Sequence, residues 1–385
     1  MTRPTRVEVD ADAIAHNVAF VADVVAPSAV CAVVKADGYG HGADRAARAA
    51  LRGGASWLAV ALVEEAAHLR DAGIDAPILV LSECRPEAMR RARDLDLRMT
   101  LYSAEGIAAA ATTSTSGASP WPVHLKVDTG MHRVGASPDE IVARACAIVD
   151  APGLELEALW THCAVADDRD SSFTATQLDR FEAAVAALDA KGMRPAMLHA
   201  GNSAVALLHP RGRYDMVRLG ISMYGCPPAS HHRDLARSLR PALRLVSRVS
   251  HVQVVAPGEG VSYGHRWRAD RATTVATVPI GYADGVRRDL GLVGGSVLIG
   301  GIRRRIIGVV TMDQLMVDCA SAPVAVDDEV VLIGAQGSDA ITADEIADRL
   351  GTISYEVLCD IGVRVPRHQQ GGPERPSTER EEGAL

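Results

Sequence analysis

The segment Val33-Val34-Lys35-Ala36-Asp37-Gly38-Tyr39-Gly40-His41-Gly42 ends a short β-branched run on a lysine and follows it with a glycine-rich turn. A lysine at the end of a buried strand is poised to lose its hydration shell. A desolvated amine is a nucleophile that forms imines with carbonyl compounds. The glycines of the turn allow a ligand to approach the backbone closely. By position alone, Lys35 could equally leave the core toward solvent. The composition narrows the choice of amine: of 40 Lys plus Arg residues, only Lys35, Lys126 and Lys191 are lysines. Imine chemistry in this chain therefore has three candidates, because a guanidinium stays protonated and cannot take part.

Such a lysine needs a scaffold. From the N-terminus to about residue 225, short apolar runs alternate with Ala-rich amphipathic stretches. Strands are expected at 29–34, 57–61, 77–81, 123–127, 154–160, 197–199 and 216–219, with helices at 43–51, 64–71, 86–93, 138–149 and 174–190. A strand-then-helix repeat of roughly 25–35 residues, with continuously apolar strands, argues for a parallel sheet. About eight such units suit a closed (β/α)8 TIM-type barrel, which builds its sites at the C-terminal ends of its strands. Lys35 falls at such an end. A doubly wound open sheet is the alternative, and its dinucleotide version is weakened by the lack of G-x-G-x-x-G after the first strand. Past residue 236 the texture changes to strands at 244–255, 273–278, 296–299, 303–310, 315–317 and 329–333, interrupted by a helix at 342–350. Gly and Pro punctuate the gaps, as in a mostly antiparallel β domain. The expected division is a barrel over 1–235, a β domain over 236–367, and a polar, charged tail over 368–385 that lacks an apolar face and is expected to be disordered.

Composition removes several functions. The net charge is −8 and no basic stripe with interleaved aromatics occurs, so nucleic acid is not an expected partner. No run approaches the ~18 apolar residues of a membrane span, and the first residues lack the apolar core of a signal peptide. Seven cysteines, an odd number without a C-x-x-C pair, argue against a disulfide framework or a metal site and for a reducing cytoplasm.

Val33–Gly42 resembles the pyridoxal-phosphate lysine motif of the alanine racemase family. Further strings resemble that family in order along the chain: Lys126-Val-Asp-Thr-Gly-Met-His-Arg133-Val-Gly, Trp160-Thr-His162, His199-Ala-Gly-Asn202-Ser203 and Val217-Arg218-Leu-Gly220-Ile221-Ser-Met-Tyr224-Gly. Gly260-Val-Ser-Tyr263-Gly-His, Gly281-Tyr282-Ala-Asp284-Gly, Met312-Asp313-Gln314 and Ile353-Ser-Tyr355-Glu356 continue the series. One such string would be weak, but an ordered series over most of the chain is specific. The resemblance implies a (β/α)8 barrel followed by a β domain, the architecture read from periodicity.

It also implies a reaction. Removing the α proton of an amino acid needs an electron sink, which pyridoxal 5'-phosphate supplies. By resemblance, Lys35 holds the cofactor and serves as one proton-transfer base, and Tyr263 serves as the other on the opposite face. A phenol of ordinary pKa near ~10 is a poor base at neutral pH, so neighbouring cations must favour its phenolate. Arg218 would face the pyridine nitrogen, buttressed by His162. Such a donor weakens the sink and suits a racemase better than an aminotransferase. Tyr39, Ser203, Tyr355 and the backbone of Gly220 and Ile221 would hold the phosphate. Asn202 adjoins this set, or else serves as an N-cap. Arg133 would lie near the cofactor's phenolic oxygen and the substrate carboxylate. Lys126 would be carbamylated to orient Arg133, or else pair with Asp128. Met312, Asp313 and Tyr282 would line the substrate carboxylate and the entrance. The family implies a homodimer in which Tyr263 and Met312 reach the partner's Lys35; a monomer with a folded-over β domain is the alternative. The expected role is supply of D-alanine for peptidoglycan in a bacterial cytoplasm. A racemase shifted toward serine and a barrel-type decarboxylase are the rival enzymes, and Arg218 argues against the second. A non-catalytic cofactor carrier would have no need of Tyr263. Four positions depart from the family pattern: Val309 follows Gly308 where arginine is usual, which bears on the entrance layer, and Cys163, Val165 and His132 replace commoner residues.

Overall fold

The computed structural model of the chain describes residues 3–113 and 119–371. The chain opens with strand β1 (Arg6–Asp10) and passes directly into a helix, Ala11–Val25. The Asp10 carboxylate accepts the N–H groups of Asp12 and Ala13, both at 2.9 Å, and so caps that helix. Eight parallel strands follow: β2 (Ala29–Val33), β3 (Trp57–Val60), β4 (Ile78–Val80), β5 (Leu97–Leu101), β6 (Trp121–Lys126), β7 (Leu154–Trp160), β8 (Met197–His199) and β9 (Met216–Leu219). Their order runs β8-β7-β6-β5-β4-β3-β2-β9. The ring is closed between its ends, where the Asp215 N–H donates to the Leu198 carbonyl at 3.0 Å and the Arg218 N–H to the Gly201 carbonyl at 2.8 Å. The sheet is thus a closed barrel and not an open doubly wound one. The helices pack around it on faces of small apolar residues. In Ala43–Arg52, the buried Ala43, Ala46, Ala47 and Ala50 recur at the helical period.

β5 and the helix Ala104–Ala111 that follows it lie outside the elements expected from the hydropathy pattern. Arg98 interrupts the apolar run of β5, which hides the strand from a hydropathy argument.

The second sheet has the order β11-β14-β17-β16-β15-β18-β10-β1-β20, with β19 paired to β18. Its strands are β10 (Leu243–Arg248), β11 (His251–Val255), β14 (Thr273–Val278), β15 (Ser296–Ile299), β16 (Ile302–Ile307), β17 (Leu315–Ala320), β18 (Glu329–Gln336), β19 (Asp339–Ile341) and β20 (Arg367–Gln370). A separate pair, β12 (Gly260–Val261) and β13 (Trp267–Arg268), carries the loop between them outward. The stretch expected as one strand at 244–255 is two, broken at Val249-Ser250.

The two ends of the chain depart from the expected division. The barrel was expected from residue 1, yet β1 pairs with β10 and β20 of the second sheet. The tail was expected to be disordered from residue 368, yet His368–Gln370 lie in β20, parallel to β1. Backbone pairing orders them where no apolar face could. The Arg367 guanidinium reinforces the end by donating to the carbonyls of Gly40 at 3.1 Å, Gly362 at 2.6 Å and Val365 at 2.7 Å. The rest of the expected tail, 372–385, lies outside the described residues. Among the described residues, no helix is long and apolar enough to cross a membrane.

Candidate active site

Lys35 directly follows β2, at the C-terminal mouth of the barrel. Beyond it the backbone makes a left-handed turn: φ is +52° at Ala36, +52° at Asp37, +61° at Gly38 and +51° at Tyr39. Each non-glycine residue held there costs about 1–2 kcal/mol, so the turn must be fixed from outside. The Glu65 carboxylate accepts the N–H groups of Ala36 at 2.6 Å, Ala61 at 2.8 Å and Leu62 at 3.1 Å. Asp37 accepts the Ala43 N–H at 2.9 Å, and the buried His41 bonds through Nδ1 to the carbonyls of Gly38 at 3.1 Å and Tyr39 at 3.0 Å. A Cβ at Gly40 would sit 2.5 Å from the Leu358 carbonyl oxygen. That glycine therefore permits close packing of its turn against the backbone at Leu358, a different reason from the ligand approach expected of it.

The turn borders a cavity of about 670 Å³. Lys35, Tyr39, Arg133, His162, Asn202, Ser203, Arg218, Gly220, Ile221 and Tyr355 all line it, so these ten expected residues from six stretches of sequence are brought together. One end is a cradle of donors. The Ser203 Oγ accepts the Gly220 N–H at 3.0 Å, which leaves its own proton to donate. A Cβ at position 220 would fall 2.9 Å from the Tyr39 hydroxyl and 3.8 Å from the Ser203 Oγ, filling the space between them. Burial pushes the Tyr39 and Tyr355 phenols far above their usual range, so both remain neutral donors. Asn202 lines the cavity, but its Oδ1 accepts the Val205 N–H at 3.0 Å and caps the helix Ser203–Leu208.

The opposite side is cationic. The buried Arg218 donates to the His199 Nδ1 at 2.8 Å, the Thr161 carbonyl at 2.8 Å, the Ala200 carbonyl at 3.1 Å and the His162 Nδ1 at 3.2 Å. Burial lowers the Arg218 pKa to about 10, which still leaves it charged at neutral pH. Burial and the neighbouring Arg218 hold His162 well below the usual histidine range, so it is a neutral acceptor that buttresses the guanidinium. Burial first and Arg133 second also lower the Lys35 pKa, which favours the free amine that acts as nucleophile or base.

Lys126 lies beneath this layer. Its Nζ and the Arg218 guanidinium each stand 4.5 Å from the Trp160 ring centre. Among the described residues no ion pair joins Lys126 to Asp128. The Asp128 carboxylate instead accepts the N–H groups of Gly130, Met131 and His132 and pairs with the His132 ring. Burial, Arg133 and Arg218 lower the Lys126 pKa to about 7.

Besides Lys126, four expected residues stay outside the cavity lining. Tyr263 is 71% exposed and lines a separate groove of about 980 Å³ with His265 and Gln314. Its loop is unusual, with φ of +64° at Ser262, +72° at Gly264 and +43° at His265. Tyr282 and Met312 are exposed in loops, joined by bonds from the N–H groups of Tyr282 and Ala283 to the carbonyls of Thr311 and Met312, both 3.0 Å. Asp313 pairs with Arg364 at 2.7 Å. Val309 is buried, and its carbonyl accepts the Ser262 hydroxyl at 2.7 Å. That bond ties it to the Tyr263 loop.

His199, His124, Glu157 and Trp160, none of them expected to have a role, lie below Arg218. A signal was present: His124 and Lys126 stand two apart on one strand and so share its face.

Residues 9–228 match the family model described as the alanine racemase N-terminal domain, and residues 242–369 match that of the alanine racemase C-terminal domain. The alanine racemase of Symbiobacterium thermophilum is 45% identical over 371 residues, 96% of this chain and 98% of the relative. The crystal structure of alanine racemase from E. faecalis matches with a TM-score of 0.91 and 40% identity, covering 96% of this chain and 98% of that one. The alanine racemase of Bacillus anthracis, a structure with bound L-Ala-P, matches with a TM-score of 0.90 and 38% identity over 96% of both chains.

Proposed function

The chain belongs to the alanine racemase family, isomerases that interconvert L- and D-alanine, and on that premise we propose that it performs this reaction with Lys35 and Tyr263 as its two proton-transfer groups. The family depends on pyridoxal 5'-phosphate, and the residues of this cavity fit that group. The carrying observation is the cradle at Gly220, where a Cβ would fill the space between the Tyr39 hydroxyl and the Ser203 Oγ. Neutral hydroxyl donors and backbone N–H groups suit a phosphate. Tyr39, Ser203, Tyr355, Gly220 and Ile221 would hold it, Arg218 would donate to the ring nitrogen, and Lys35 would bond the carbonyl carbon. Bound there, pyridoxal phosphate supplies the electron sink that makes the α proton labile.

The remaining work falls to side chains. Arg133 reaches the cavity mouth and would pair with the substrate carboxylate. Lys35 moves a proton at its Nζ on one face of the α carbon. Inversion needs a second proton-transfer group on the other face, and no tyrosine of the same chain's β domain other than Tyr355 lines the cavity. Tyr263 would enter from a second copy, with Met312, Asp313 and Tyr282 completing the entrance. The barrel then carries the cofactor, and the β domain supplies the partner's site. The cationic lining would favour the phenolate of an incoming Tyr263. A homodimer with two such shared sites has a simple consequence. Lys35→Ala and Tyr263→Phe proteins, each inactive alone, regain about a quarter of wild-type activity when unfolded together and refolded in equal amounts, because half the dimers then hold one intact site. No recovery on mixing, with dimers formed, would show that both groups act within one chain.

Lys126 would carry a carbamate. Carbon dioxide reacts with a neutral amine, and a pKa lowered from 10.5 to about 7 keeps much of this amine neutral at physiological pH. Protein equilibrated with ¹³C-bicarbonate is expected to show one carbamate carbon signal. The signal should fade as pH drops below about 7, where the amine protonates, and be missing from Lys126→Ala. A signal that persists in Lys126→Ala would place the carbamate elsewhere. Residence in a bacterial cytoplasm and supply of D-alanine to peptidoglycan accord with this reading.

A further inference from the structure

The interior of a parallel barrel is ordinarily filled with branched aliphatic side chains. In this one a polar column runs down from Arg218. The Arg218 Nη1 lies 2.8 Å from the His199 Nδ1, the His199 Nε2 lies 3.1 Å from the His124 Nδ1, and the His124 Nε2 lies 2.8 Å from the Glu157 carboxylate. The column ends among residues that open their strands. Arg98 of β5 stands 3.5 Å from Glu157, and Trp57, the first residue of β3, packs its ring 5.6 Å from that of His124. Trp160 stacks on His199 with ring centres 5.4 Å apart and planes 9° from parallel. Glu157 reaches the column through a local irregularity. Val123 pairs with Leu156 and His124 with Ala158, so Glu157 is the extra residue of a β-bulge in β7. Bulges of this kind re-aim a side chain.

The hydrogen bonds can run in one direction only. A guanidinium donates and never accepts, so the His199 Nδ1 must be bare and its Nε2 protonated. The His124 Nδ1 must then accept, which puts its proton on Nε2, facing an ionised carboxylate that can only accept. Burial holds both histidines below their usual range, so each is neutral and has a single proton to place. Burial opposes ionisation of Glu157, but its contacts with His124 and Arg98 prevail and its pKa is lowered. Reversing the two tautomers would set two donors against each other at Arg218.

We infer that Glu157 is a positioning residue which, through His124 and His199, fixes the tautomers that hold Arg218 in place. This rests on the reading in which Arg218 faces the cofactor's pyridine nitrogen. An all-aliphatic column would fold at lower desolvation cost, and the buried polar one fixes the donor geometry at the mouth.

The test uses the full-length holoenzyme labelled with ¹⁵N-histidine, the two ring signals being assigned with His124→Gln and His199→Gln. In wild type both rings are expected to show a bare Nδ1 and a protonated Nε2 at neutral pH. Glu157→Leu removes the terminal acceptor. With its Nε2 proton left unbonded, His124 can reverse together with His199, which displaces Arg218 from the His199 Nδ1. The His199 nitrogens should then shift toward a mixture of tautomers, and kcat should fall about tenfold with KM little changed, the loss common when an orienting partner is removed. Glu157→Gln keeps an acceptor oxygen and should restore both the His199 pattern and kcat. It also serves as the test should the leucine variant fold poorly. An unchanged His199 pattern in Glu157→Leu, or loss of that pattern in well-folded Glu157→Gln, would overturn the inference. Wild-type protein with the expected ring pattern but no racemase activity would instead refute the functional reading and leave the column standing.

Discussion

Replacing Lys35 with alanine is expected to abolish racemisation, a loss of roughly 10⁴-fold or more, the scale on which removal of a covalent catalytic group acts. Two functions disappear with one amine: the bond that holds the cofactor and the proton transfer on one face. No other amine can take over. Lys126 is buried against Trp160, and Lys191 is exposed in the turn after the helix Phe173–Asp189. The loss should not come from unfolding, because the turn is fixed by Glu65, Asp37 and His41 and not by the lysine side chain. The measurement is the visible absorbance that pyridoxal phosphate acquires when joined to a lysine amine. It should be missing from Lys35→Ala, with an unchanged far-ultraviolet circular dichroism spectrum. A Lys35→Ala protein that keeps this absorbance would place the cofactor on another residue.

Tyr263→Phe is the second large effect. The substitution removes one hydroxyl from a side chain that is exposed in the single chain and buries nothing there, so the fold and the Lys35-dependent absorbance should survive. Racemisation should fall by roughly 10²–10⁴-fold, the contribution of a positioned general acid or base. The loss should be confined to one face. Lys35 remains able to exchange the α proton on its own side, so one enantiomer should still lose its α hydrogen to solvent while the other does not. Uniform loss on both faces would instead mean that Tyr263 orients the substrate and moves no proton.

The sequence made the barrel legible because its strands are apolar on both sides and its helices carry small residues at the helical period. β5 escaped because Arg98, whose side chain serves the interior column, breaks the apolar run. β20 escaped because backbone pairing with β1, and not an apolar face, orders it. The cavity residues were legible through motif strings, each of which marks the end of a strand or the start of a helix at one mouth. His124 and Glu157 belong to no such string. Their roles depend on a bulge and on contacts across the barrel, which no local spacing encodes. Asn202 suits two roles by sequence, and in the structure its Oδ1 caps the helix Ser203–Leu208.

The most direct test of the two-base account is to incubate the holoenzyme with L-alanine in D₂O and follow α-deuteration and D-alanine formation together. Wild type is predicted to form D-alanine carrying deuterium at the α carbon. Tyr263→Phe is predicted to form almost none, while exchanging the α hydrogen of one enantiomer alone. Wild-type protein that forms neither deuterated product, or a Tyr263→Phe protein that racemises at the wild-type rate, would contradict it.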